Sequence, residues 1–236
     1  FFQAEDGIRD VAVTGVQTCA LPILLDDAAL GNARDTTPAM LEGIRALGLG
    51  ALPWSREARS LQTRAAFLRK IDGEDWPDLS DAALLATLDD WLAPYLNGVT
   101  RRTHLERIDL LAALRARLSW EQQKRLDQDA PTHVTVPTGS RIPIDYSGET
   151  PVLAVRLQEM FGLARTPSIA GGRVPLLLHL LSPAHRPMQV TKDLAGFWAG
   201  SYKEVRRDLR GQYPKHYWPE DPLQAAPTKR AKPRGT

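Results

Sequence analysis

Residues 171–221 read GGRVPLLLHLLSPAHRPMQVTKDLAGFWAGSYKEVRRDLRGQYPKHYWPED. The Leu-rich run 174–181, broken only by Pro175 and His179, is short enough for a buried strand. Residues 182–187 supply two prolines and two small residues, a turn, and 188–191 returns as the second strand of a hairpin. A helix follows, with Thr191 as its cap and Asp193 in the first turn, stopped by Gly211 and Pro214. At helical spacing Leu194, Trp198, Tyr202, Val205 and Leu209 share one arc and Lys203, Arg206, Arg207 and Arg210 the opposite one. Glu204 and Asp208 lie on the flank. The pattern implies a helix clamped on a hairpin, with a cationic side turned to water.

Working back toward the amino end, the period changes at Ala130-Pro131. Residues 133–136 and 141–146 alternate apolar and polar around Pro137-Thr138-Gly139-Ser140, a second hairpin. Residues 152–161 carry both signals: Leu153, Leu157, Met160 and Phe161 keep helical spacing while Val152 and Val155 suit a strand, and the stretch is read as helix. Beyond residue 221, Pro, Ala and the cations Lys229, Arg230, Lys232 and Arg234 without an acid read as a disordered basic tail.

Residues 38–130 read as helices. Met40, Leu41, Ile44 and Leu47 make the first stripe, ended by Gly48 and Gly50. Ser55 caps the second, whose stripe of Ala58, Leu61, Ala65, Leu68 and Ile71 is surrounded by Arg56, Arg59, Arg64, Arg69 and Lys70. Ser80 or Asp78 caps a third with Leu84, Leu85, Leu88, Trp91 and Leu92. Thr103-x-x-Glu106 and Ser119-x-x-Gln122 are capping-box patterns and predict helices at 104–118 and 120–128. The fold class is therefore α+β: an N-terminal helical module (38–130), then a small α+β domain (131–221) with two β-hairpins and a long C-terminal amphipathic helix. A linker (24–37) precedes them and the basic tail (222–236) follows.

The wording LLHLLSPAHRPMQVTKDLAGFWAGSYKEVRRDLRGQYPKHYWPEDP, with LGALPWSREARSLQTRAAFLR, WPDLSDAALLATLDDWLAPYL and VPTGSRIPIDYSGETPVLAVRLQEMFGL, resembles the C-terminal region of the HrpB helicases. These are bacterial ATP-dependent RNA helicases of the DEAH type, and the resemblance runs from about Pro38 to Thr236. It implies an accessory region that packs on the motor core of the same parent chain and contacts RNA in the cytoplasm. ATP and Mg2+ are implied for the whole helicase, and no cofactor for this part. Residues 1–23, FFQAEDGIRDVAVTGVQTCALPI, instead resemble the translation of a short-read sequencing adapter; acidic Glu5, Asp6 and Asp10 stand where a secretory leader needs positive charge. Setting them aside leaves 213 residues with 29 Lys and Arg against 25 Asp and Glu, and removes Cys19, the one cysteine.

Few residues invite chemistry. The sequence has no G-x-x-x-x-G-K-[ST] and no Asp-Glu-x-His, so ATP hydrolysis is not expected of these residues alone. Gly171-Gly172-Arg173 offers a phosphate loop only without a third glycine, and reads better as a turn. The five histidines include no H-E-x-x-H, and Asp89-Asp90 and Glu220-Asp221 are sequence neighbours that diverge, so neither catalytic nor metal-ligating residues are assigned. No apolar run reaches the roughly 18–20 residues of a membrane span. Of the six tryptophans, Trp91, Trp120 and Trp198 are read as core or junction anchors, and Trp218, flanked by cations in an extended segment, as the one placed to stack on a base. The nucleic-acid candidates are Lys203, Arg206, Arg207, Arg210, Lys215 and Trp218. The alternative is a docking module for a protein partner whose basic face is incidental.

Overall fold

The computed structural model describes residues 36–231. The adapter reading, most of the linker, and tail residues Lys232 and Arg234 lie outside the described residues. Helix α1 (Thr37–Leu47) carries Pro38 in its first turn and ends at Gly48, whose φ of 78° suits a residue without Cβ. The Ser55 hydroxyl accepts from the Ala58 amide at 3.1 Å and starts α2 (Arg56–Asp72); such a cap is worth about 1 kcal/mol. Ser80 does the same for α3 (Asp81–Ala86), and α4 (Leu88–Leu92) continues after a break at Thr87. Ala58, Leu61, Ala65 and Leu68 of α2 are buried, as are Leu84, Leu88, Trp91 and Leu92.

The two capping boxes part ways. Ser119 and Gln122 form theirs and open α6 (Trp120–Asp129). The box expected at Thr103 and Glu106 does not form: residues Arg102–Arg107 make a 3-10 turn, and α5 (Leu110–Arg115) begins afresh where Asp109 accepts from the Ala112 amide. The expected helix at 104–118 is thus one tight turn and one short helix.

Seven strands follow: β1 (His133–Thr135), β2 (Arg141–Asp145), β3 (Val152–Arg156), β4 (Ser168–Ile169), β5 (Val174–Pro175), β6 (Leu177–Leu181) and β7 (Pro187–Thr191). The main sheet runs β1-β2-β3-β6-β7, antiparallel except for the parallel β3–β6 pair; β4 and β5 form a separate ribbon. Both expected hairpins are present, β1–β2 and β6–β7. The stretch read as helix is corrected. Residues 152–156 are a central strand, with Leu153 and Val155 opposite Leu178 and Leu180 on one buried face. Period-two burial of branched residues decided it, and the helical spacing of Leu157 and Met160 belongs to the 3-10 turn Leu157–Glu159 that follows. The apolar run 174–181 is divided at Leu176, whose amide turns away to Pro167 O.

The long C-terminal helix is also corrected. It is two helices, α7 (Leu194–Ala199) and α8 (Tyr202–Gln212), joined at Gly200. Asp193, not Thr191, caps α7 by accepting from the Gly196 amide at 2.9 Å. A Cβ at Gly196 would stand 2.2 Å from the Asp193 carboxylate, so this cap requires glycine there. Phe161, Phe197, Trp198 and Tyr202 pack edge to face beneath the two helices.

Residues 222–231, expected to be disordered, return along the domain. Gly162 N donates to Pro222 O, Thr228 N to Gln158 O, and Tyr217 N to Ala231 O. Pro222, Ala225 and Thr228 are buried, which the run of prolines and alanines permits and charge alone did not foretell.

The helices and the sheet are tied together at named points. Arg64, read as a surface cation, is buried and donates to Ala130 O at 2.5 Å, Leu126 O at 2.9 Å and Asp127 at 2.7 Å. Phe67 meets Tyr146 at 5.3 Å between ring centres. Asp72, at the end of α2, accepts from Arg125 of α6 at 2.8 Å and from Arg173 before β5 at 2.7 Å. No helix among the described residues is long and apolar enough to cross a membrane.

Candidate nucleic-acid interface

Helix α8 is seated by its aromatic end. Tyr202 and Leu209 are buried, Val205 is half-buried, and the Tyr202 hydroxyl donates to Pro219 O at 2.8 Å. Burial raises the Tyr202 pKa, so the hydroxyl stays a donor there. With that side fixed, Lys203, Arg207 and Arg210 face water, and Lys215 is exposed in the turn beyond. Among the described residues none of these four has a hydrogen-bond or ion-pair partner. Glu204 and Asp208 lie on the opposite shoulder and pair with none of them.

Two of the six candidates are engaged within the fold. Arg206 stands four residues after Tyr202 and three before Leu209, so it shares their side of the helix rather than the exposed one. Its guanidinium donates to Trp218 O at 3.0 Å and to Glu220 at 3.2 Å. Trp218 is only 7% exposed; its indole donates to Tyr213 O at 3.0 Å and stacks on His216. A base has no face of Trp218 to stack on. Aromatic and proline neighbours, which marked the segment as extended, are what fold it back on the domain. His216, beside Gln158, has its pKa pushed below the ordinary value by burial and by Arg156.

The tryptophan that does face water is Trp120, 74% exposed, which the sequence reading took as a core or junction anchor. The signal was available. Leu126 is the buried residue of α6, and at ~100° per residue Trp120 stands about 120° away from it. Lys124 lies over the ring, 5.6 Å from its centre. Nearby, α2, α5, α6 and the β1–β2 hairpin enclose a cleft of about 820 Å³. Arg56, Arg115 and Gln123 line it, with Asp127 and Asp145.

Residues 91–222 match the family model described as ATP-dependent helicase C-terminal, that of the HrpB helicases. The chain belongs to this family. It is 52% identical over 219 residues to the ATP-dependent RNA helicase HrpB of Escherichia coli strain K12, covering 92% of this chain and 27% of the relative. The crystal structure of the E. coli DExH-box NTPase HrpB superposes with a TM-score of 0.78 at 49% identity, over 86% of this chain and 25% of that one. That of the Escherichia coli DEAH/RHA helicase HrpB does so with a TM-score of 0.67 at 47% identity, over 81% and 25%. The chain thus spans about a quarter of the length of the HrpB helicases it matches.

The ATP and Mg2+ implied for an HrpB helicase do not fit the residues described. The glycine pair that might cradle phosphate, Gly171-Gly172, leads into Arg173, whose guanidinium is taken by Asp72 and Ala170 O. No group of three or more His, Cys, Asp or Glu among the described residues is placed to hold a metal ion.

Proposed function

We propose that this HrpB C-terminal region packs on the motor core of an ATP-driven cytoplasmic helicase and holds the RNA backbone along α8. ATP binding and hydrolysis belong to that core. Lys203, Arg207, Arg210 and Lys215 supply phosphate contacts that carry no sequence information, in keeping with a motor that must let the strand pass. The observation that carries the reading is that these four cations are exposed without partners among the described residues while Arg206, on the same helix, is paired with Glu220. The name of the E. coli relative, an RNA helicase, supports RNA as the polyanion.

The test replaces Lys203, Arg207 and Arg210 with Ala and measures binding of labelled single-stranded RNA across a salt series. Removing about three phosphate contacts should lower affinity and reduce the slope of log K against log salt by about 2. Unchanged affinity and slope would dismiss the backbone-holding role. Binding only to a separately expressed motor core would favour the docking module.

A further inference from the structure

We infer that Trp120 is a base-stacking anchor for single-stranded nucleic acid, set on the helical half of the molecule apart from the α8 phosphate strip. The inference deepens the RNA reading above by adding a contact to an unpaired nucleobase.

Three observations lead there. First, Trp120, at 74%, is the most exposed large hydrophobic side chain among the described residues, and an indole with a wet edge is a ring type enriched at binding surfaces. Second, the ring is presented from a fixed base. The capping box of Ser119 and Gln122 locks the first turn of α6, Gln122 also donates to Asp75 O, and Gln123 donates to Arg115 O and Leu118 O at 3.0 Å. A rigid backbone under an exposed ring lowers the entropy cost of stacking something on it. Third, the neighbours are polar. Ser119, Glu121 and Lys124 surround Trp120 in sequence and are exposed, and Lys124 lies over the ring. A base needs one π-face and a cation for the phosphate beside it, and Trp120 with Lys124 supplies both.

Position supports the same occupant. The cleft is lined from α6 by Gln123, Leu126 and Asp127; Trp120, three residues before Gln123, does not line it but stands one turn away, exposed, on the same helix. Arg115, exposed and free of ion pairs among the described residues, lines that cleft as well. A strand whose phosphates meet Arg115 and Lys124 would bring a base over the indole. Every base has a π-face, so the contact tolerates any sequence.

The experiment uses the 236-residue chain and two probes of equal charge: a short oligouridylate and an abasic oligomer of the same length. Trp120→Ala should weaken oligouridylate binding about tenfold, leave the abasic probe nearly unaffected and leave the salt slope unchanged, because no cation is lost. Trp120→Phe should recover most of the affinity. Circular dichroism and thermal unfolding should match the parent chain, since the ring is exposed. Equal affinity of Trp120→Ala and parent for oligouridylate overturns the proposal, and so does an equal loss on both probes. Loss of binding to a separately expressed motor core, with RNA binding intact, overturns it in favour of a protein contact. The Lys203, Arg207 and Arg210 triple variant weakens both probes together, so failure of the α8 reading shows separately.

Discussion

Arg64→Ala should be among the most damaging single changes a polar residue of this chain can suffer. The guanidinium is 8% exposed and makes three hydrogen bonds, two to backbone carbonyls and one to Asp127. Leu126 O also receives the Ala130 amide, but Ala130 O, buried at the exit of α6, is left without the bond from Arg64. An orphaned buried carbonyl costs about 1–3 kcal/mol, and the lost packing of the stem adds to it. We expect about 3 kcal/mol in total, a fall in Tm of about 6–12 °C for a chain of this size. Asp127 is 80% exposed, so Asp127→Asn should cost under about 0.5 kcal/mol. Thermal unfolding followed by circular dichroism, with a urea titration at constant slope, measures both. A Tm shift for Arg64→Ala below about 2 °C, or a shift for Asp127→Asn as large as for Arg64→Ala, would refute the reasoning. The second outcome would mean that the ion pair, not the carbonyls, is what Arg64 is for.

Two further changes test the junctions in the sheet half. Asp72→Asn removes the carboxylate that joins Arg125 to Arg173, and should cost about 1–2 kcal/mol and be coupled to Arg173→Ala in a double-mutant cycle. Arg173 holds the Asp72 pKa below its ordinary value, so this stability is present above about pH 4 and is lost as pH falls further; the variant should flatten that acid limb. Glu159→Gln loosens the turn between β1 and β2, where the carboxylate accepts from Thr138 at 2.8 Å and Ser140 at 2.5 Å and pairs with Arg156 at 2.9 Å. Burial raises the pKa of Glu159, but these three donors outweigh it and the net shift is downward. The variant should lower the urea midpoint by about 2 kcal/mol equivalent at neutral pH and by less near pH 4.

The readable parts of the fold were those set by neighbours in sequence. Ser55, Ser80 and Ser119 announced helix starts because a cap needs only an oxygen and an amide three residues on. Both hairpins were legible for the same reason. Residues 152–156 were not, because Leu153 joins Leu157, Met160 and Phe161 at helical spacing while Val152 and Val155 suit a strand, and spacing alone does not separate a short buried strand from a buried helix turn. The break at Gly200 was hidden behind a stripe whose spacing continues across it, since Trp198 and Tyr202 face the same core from two helices. Long-range partners were invisible altogether. Nothing near Arg64 in the sequence says that carbonyls about sixty residues away will take it inside.

The same distinction sorts the cations. Arg45, Arg59, Arg64, Arg125, Arg156, Arg173 and Arg206 each meet an acid, and apart from Arg156, whose partner Glu159 is three residues on, each has at least one such partner distant in sequence. Those arginines hold the fold. On α8 Glu204 stands three residues before Arg207, close enough in sequence for a helix-face pair, yet no pair forms among the described residues. Lys203, Arg207 and Arg210 therefore face water together, three and four residues apart along two turns of the helix. Three like charges so placed repel, a cost that a row of phosphates relieves. A strip that is destabilising when empty and satisfied when covered is what a passing polyanion would select, and it predicts that the Lys203, Arg207 and Arg210 variant loses RNA without losing stability.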